Sequence, residues 1–355
     1  MSDNSEGNKT GRTSAGRTSA GHTSAGRTSA GRTITGLHSI GILCCLLVMG
    51  VIVGLGPYSN AAMFLPDEGM LWYYWKLPEP TFWTRFSAWL LYGLHQLSIW
   101  VLIPWAQLKR PQYSGRLHPV NVLALLANGL FVALHIWQTK VFYDGLAQDT
   151  SVMASQFSVI FMLVFILIME NSRRGLFFGY KVDFFDRSGG FIRRYHGYYF
   201  SWAIIYTFWF HPIEDNLGHL LGTFYILLLL FQGSLFFTRY HRDRVWTVML
   251  EFFVLIHGAM VAYLTIPGEH WKMFLFGFLT LFIITQMHGI GLGRRARASV
   301  VLLYVIAVMV AYRGREMDAL EVFRIPAVEL GFAFILAAIG WLCWRLAARR
   351  ERRAS

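Results

Sequence analysis

Charge is scarce in this chain: only 15% of its 355 residues are Asp, Glu, Lys or Arg, against 55% hydrophobic and 16% aromatic. With a mean hydropathy of +0.43, that excludes an ordinary soluble domain and makes the bilayer its solvent. Cysteine is almost missing. Cys44 and Cys45 stand side by side in one apolar run and Cys343 lies in the last, which excludes a disulfide framework or a cysteine metal site and reads as buried, inert thiols. HExxH, twin HxxxH boxes, paired CxxC and the haem-attachment CxxCH are all absent, so no named metal or haem signature applies. A secretory signal is not expected either, because the polar lead is too long and no small-residue cleavage site is evident after the first apolar run.

What is present is a series of apolar runs. Residues 1–36 come first, built on a five-residue repeat: GRTSA at Gly11 and Gly16, GHTSA at Gly21, GRTSA at Gly26 and GRTIT at Gly31. Such small polar residues cannot offset the entropy of ordering, so a disordered cytoplasmic tail is expected. Runs of bilayer length then follow at Leu37–Leu55, Phe86–Gln107, Pro119–Trp137, Val152–Met169, Tyr198–Phe210, Leu217–Phe237, Val245–Ile266, Met273–Ile290, Ser299–Tyr312 and Ala327–Leu346. A spanning helix needs about 20 residues. The expected fold is therefore all-α: a polytopic integral membrane bundle of about ten transmembrane helices over 37–346, with the fifth and ninth runs short, closed by a basic cytoplasmic tail at 347–355.

The formal charge of +12 invites a nucleic-acid reading, but its distribution excludes one. Under strict alternation of ten spans, 25 of the 32 basic residues fall in the tail and every second connection, and seven fall in the others. That asymmetry is topogenic. It predicts a multi-pass protein of the cell membrane with both termini cytoplasmic, and its first partner is the lipid bilayer. Two connections are long. The outer one, 56–85, is dense in Trp, Tyr and Pro and reads as an interfacial segment or a lid; the inner one, 171–196, mixes Arg with aromatics and reads as a segment on an anionic leaflet or a phosphate-recognising one.

Polar chemistry concentrates between the fifth and sixth runs, in YTFWFHPIEDNLGHLLG from Tyr206 to Gly222. Pro212 suits the first position of a helix. A helix opening there places Asp215 and His219 four residues apart on one face, with Gly218 and Gly222 allowing a neighbour close approach. His211, Glu214, Asp215 and His219 are the candidate catalytic residues, and His211, His219 and Asp215 the candidate metal ligands. His95, His135 and His257, at depth in three other spans, are candidates for holding a cofactor, so a transition metal or haem is an open expectation. Ionisable groups at such depth face the bundle interior, pair with one another, or line a pathway. Glu251 is expected to pair with Arg242 or Arg244.

These residues support a membrane-embedded enzyme whose outer-facing histidine and carboxylate site acts on a lipid or lipid-linked substrate, with histidine as general base or metal ligand. A proton-coupled or anion transporter is the alternative, weakened by the lack of similarity between the two halves. A non-catalytic assembly subunit is the third reading. A hydrated outer turn with no chemistry would explain His211, Glu214, Asp215 and Asn216 equally simply.

Overall fold

The computed structural model describes residues 25–56, 75–109, 111–266 and 268–354. Among the described residues there are ten α-helices: α1 (Ala25–Leu55), α2 (Phe82–Lys109), α3 (Pro119–Val141), α4 (Val152–Arg174), α5 (Phe185–Phe208), α6 (Leu217–Ser234), α7 (Arg244–Thr265), α8 (Trp271–Ile284), α9 (Arg294–Ala311) and α10 (Arg324–Ala354). Among the described residues extended pairing is limited to isolated bridges such as Ser114 with Thr238. The protein is an all-α polytopic bundle.

Among the described residues eight helices, not ten, are long and apolar enough to cross a membrane. The two that fall short are the fifth and ninth. The first half of α5 carries Asp186, Arg187, Arg193 and Arg194, and α9 opens with Arg294, Arg295 and Arg297, so neither holds a full apolar stretch. Both still run beside a neighbour. Near its start α5 donates from Arg193 to Met169 O at 2.7 Å, and near its end from Tyr206 to Thr150 Oγ1 at 2.9 Å, so it lies antiparallel to α4. Likewise α9 meets α8 through Arg297 and His288 at one end and through Lys272 Nζ and Ala311 O at the other.

Helix ends depart from the sequence expectation at both termini. The last repeats form the start of α1 from Ala25, and α10 continues through the basic stretch to Ala354; the earlier repeats and residues 57–74 of the long connection lie outside the described residues.

The main core joins α1, α2, α3, α5, α6 and the start of α7 around Ile52, Ile99, Phe131, Ile205, Trp209, Leu228 and Leu250. A second core joins α4, α5, α8 and α10 around Val164, Ile168, Phe185, Leu281 and Ala333. Outward faces are apolar: Leu43, Leu46, Leu47 and Val51 on α1, and Leu123, Leu126 and Leu130 on α3, are exposed. In water such stripes would aggregate; in hydrocarbon they cost nothing.

Candidate functional site

The segment joining α5 to α6 is irregular backbone buried inside the bundle. Trp209, Phe210, Pro212 and Ile213 are all buried. Non-helical backbone at membrane depth persists only where protein satisfies its polar groups, and here it does. Trp209 O and Phe210 O accept from Leu146 N and Ala147 N at 2.9 and 2.8 Å, and Ile213 N donates to Thr139 Oγ1 at 3.0 Å. Gly145 permits this approach, since a Cβ there would stand 2.6 Å from Phe210 O. Pro212 does not open the next helix. Asn216 does: its side chain accepts from His219 N at 3.1 Å as the N-cap of α6. Asp215 therefore lies outside the helix and does not share a helical face with His219.

His211 and His219 meet, with ring centroids 4.1 Å apart. His135 is fully buried, stacked on Trp209 at 4.2 Å and edge-on to Phe208 at 4.6 Å. Neither of its nitrogens closes a hydrogen bond, although the His211 backbone faces it. His257 reaches across from α7 to α6, where a Cβ on Gly222 would stand 2.8 Å from its Cε1, and its Nδ1 is buried without a partner. His135, His219 and His257 thus all lie close enough to His211 to interact with it electrostatically. By helical rise, His135 lies about 9 Å in from the end of α3 and His257 about 12 Å in from the end of α7.

Hydrogen bonds assign the two central tautomers. His211 Nδ1 lies 3.1 Å from Pro212 O; a carbonyl only accepts, so Nδ1 carries the proton and Nε2 is left with its lone pair. Asn216 Oδ1 is fixed as the cap acceptor, so its Nδ2 donates to His219 Nδ1 at 2.9 Å. His219 then carries its proton on Nε2. One ring presents a base and its neighbour a donor. Burial lowers the pKa of His211, against the carbonyl bond that raises it, so the ring stays neutral near pH 7.

The carboxylates stand to one side. Glu214 is half-buried and accepts from Tyr143, and burial raises its pKa despite that bond and the nearby Lys140. Asp215 is exposed, facing Gly56 at the end of α1. His95 is engaged on both nitrogens: Trp209 Nε1 donates to Nδ1 at 3.1 Å, and Nε2 meets Asn128 Oδ1 at 2.8 Å. Asn128 Nδ2 goes on to Ser234 Oγ at 2.8 Å, so His95 ties α2, α3, α5 and α6 together. Among the described residues no group of three or more His, Cys, Asp or Glu is placed to hold a metal ion.

Other expectations fall differently. Glu251 pairs with Arg174 of α4, which donates to both its oxygens at 3.0 and 2.8 Å, and not with Arg242 or Arg244. His241, in the connection between α6 and α7, is held at 2.9 Å from Gln232 O. Sequence reasoning passed over Tyr143 and Asp144, which lie in an ordinary-looking turn. It also passed over Gln148, whose amide clamps Leu77 N and O at 3.0 and 3.2 Å. Two residues before Leu77, Trp75 packs edge-on to His219 at 4.2 Å, so the long connection does cover this spot. Comparison with family models, with curated proteins and with solved structures returns no match.

Proposed function

We propose that this chain is a membrane-embedded enzyme acting on a lipid or lipid-linked substrate, with His135, His211, His219 and His257 working as one histidine cluster. The observation that carries the reading is the pairing of a base with a donor: His211 Nε2 is unprotonated while His219, its ring 4.1 Å away, offers Nε2–H. A base and an acid so placed suit proton removal from an attacking hydroxyl or water and proton return to a leaving group, as in acyl or other group transfer. The depth of the rings supports a substrate whose reacting bond sits at the boundary of headgroup and hydrocarbon. Trp75, packed edge-on to His219, supports a partial cover over the site that limits access of water.

A metal or haem is not what these hydrogen bonds favour. His219 would have to give up Asn216 to offer Nε2 as a ligand, and His95 has no nitrogen to spare. The basic residues support a sidedness in which this end faces outward in the cell membrane, opposite Arg173, Arg174, Arg194, Arg242, Arg244 and Arg294.

The test is incubation of purified protein with a total membrane lipid extract, with mass spectrometry of lipids before and after. Wild type should deplete one lipid class and build up a product, and His211→Ala should slow this about 100-fold or more without lowering the melting temperature. Turnover by the wild type should persist below pH 6.5 and fail as the pH drops through the lowered His211 pKa, because protonation removes the base. An unchanged lipid profile with wild type, full activity in His211→Ala, or stoichiometric bound metal in the purified protein would each defeat the reading.

A further inference from the structure

At the other end of the bundle three guanidinium groups gather around the turn at His288 and Gly289. Arg174 is 2% exposed; its Nη1 serves both oxygens of Glu251, and its Nη2 is buried with no partner. It lies against Gly289, where an added Cβ would stand 3.1 Å from the Arg174 Cβ. Arg173 pairs with Glu170 and places Nη1 3.5 Å from Gly289 O. Arg297 Nη1 lies 3.0 Å from His288 Nδ1, while its Nε is buried and unpartnered. Buried donors without acceptors are rare in folded proteins and point to a missing ion or water.

A helix start adds to the positive field. The N-cap of α9, Gly293, supplies no side-chain cap, and its first turn holds Arg294, Arg295 and Arg297 with no acidic residue. Cations there oppose the helix dipole, and the first N–H groups lack acceptors. An anion would answer both. The 175–180 turn, which three residues with positive φ, Gly175, Phe178 and Gly179, fold tightly, packs on the same His288. Gly179 brings this turn to the His288 ring, where an added Cβ would stand 3.4 Å from Nδ1, and Phe178 N donates to Ile284 O at 2.7 Å. Phe178 and Tyr180 are themselves exposed, at 64% and 76%, as aromatics at headgroup level are.

We propose that the place where the 175–180 turn, His288 and the start of α9 come together binds a phosphate-bearing anion, received by Arg174 Nη2, Arg297 Nε and the uncapped N–H groups of α9. His288 positions Arg297, and the exposed aromatics flank the acyl chains when the phosphate belongs to a lipid. This site is separate from the histidines and does not depend on their chemistry.

The experiment uses full-length protein in phosphatidylcholine nanodiscs. Phosphatidic acid is added at rising mole fraction in one arm and inorganic phosphate in the other, with melting temperature and native mass spectrometry as readouts. Saturable binding of one anion is expected, and the arm that saturates names the source. Arg297→Gln should weaken it about tenfold or more, given the 1.5–3 kcal/mol of a charged hydrogen bond. Arg295→Gln removes the same charge from the same turn on an exposed residue and should change affinity less than twofold. Equal losses in the two variants would reduce the effect to diffuse charge and overturn the site, as would wild-type affinity in Arg297→Gln or no saturable binding in either arm. Arg174 is left intact, since its removal strands Glu251.

Discussion

Asp144 lies in the turn after α3, 2% exposed, with Oδ1 accepting from Gly145 N at 2.8 Å and Oδ2 without a partner. Burial pushes its pKa up from 3.8 to about 6. Between those values the folded protein holds a proton that the unfolded chain has released, so folding is favoured below about pH 4 and loses that advantage as the pH rises through 6. The loss amounts to about 3 kcal/mol at neutral pH. Asp144→Asn keeps the acceptor for Gly145 and removes the charge. It should melt above wild type at pH 8 and level with it at pH 4; equal melting at both would refute the assignment. His95 makes the complementary case. His95→Phe keeps the stack on Phe131 but strands Trp209 Nε1 and Asn128 Oδ1, at about 1–3 kcal/mol each. Melting should fall, while turnover per folded molecule stays within a few-fold if His95 is architectural; a selective loss of turnover would return it to the site. Sequence made His95, His211 and His219 visible, because a polar residue in an apolar run stands out. It could not separate them, because that depends on which nitrogen meets Trp209, Pro212 or Asn216. Asp144 and Tyr143 were not visible at all: in a turn a carboxylate and a phenol are ordinary until tertiary packing buries them.

Elements were the most legible level, and their ends the least. Eight of the ten apolar runs correspond to helices fit to cross a bilayer, because hydropathy over about 20 residues is a property of composition. The start of α6 was misplaced at Pro212 since both proline at a first turn and asparagine as a cap are good openings, and burial of 209–213 against 145–147 decides for Asn216. Partner choice was equally hidden. Glu251 is nearest in sequence to Arg242 and Arg244, yet the helix turn aims it at Arg174, 77 residues away. That pair joins α4 to α7 with side-chain exposures of 1% and 7%, so removing one partner leaves a buried charge. Arg174→Met alone should cost about 3–5 kcal/mol, and Arg174→Met with Glu251→Leu should recover most of it. Thermal unfolding in detergent of the two variants measures the difference, and no recovery in the double variant would mean the pair holds the helices in register as well as neutralising itself.

At the scale of the molecule the two ends carry different chemistry, and sidedness links them. The connection before α2 lies at the histidine end, fixed by Leu77 on Gln148 and by Arg85 on Asp149. The 175–180 turn lies at the arginine end beside the start of α9. Glu79 and Lys181 are both exposed, one at each end, and so report orientation directly. The 25-to-7 split of basic residues rests on ten crossings, and α5 and α9 are the helices least fit to cross. If both lie antiparallel to α4 and α8 through the bilayer, the excess of arginine still selects the cytoplasmic face for Lys181. With Cys44, Cys45 and Cys343 replaced by Ser, a single cysteine at position 79 should react with a membrane-impermeant maleimide in intact cells. One at position 181 should react only after permeabilisation. The reverse pattern would invert the molecule and place the histidines on the cytoplasmic face. Labelling of both from outside would instead show that 79 and 181 share a side, which the packing of α4 along its whole length against α5 does not allow.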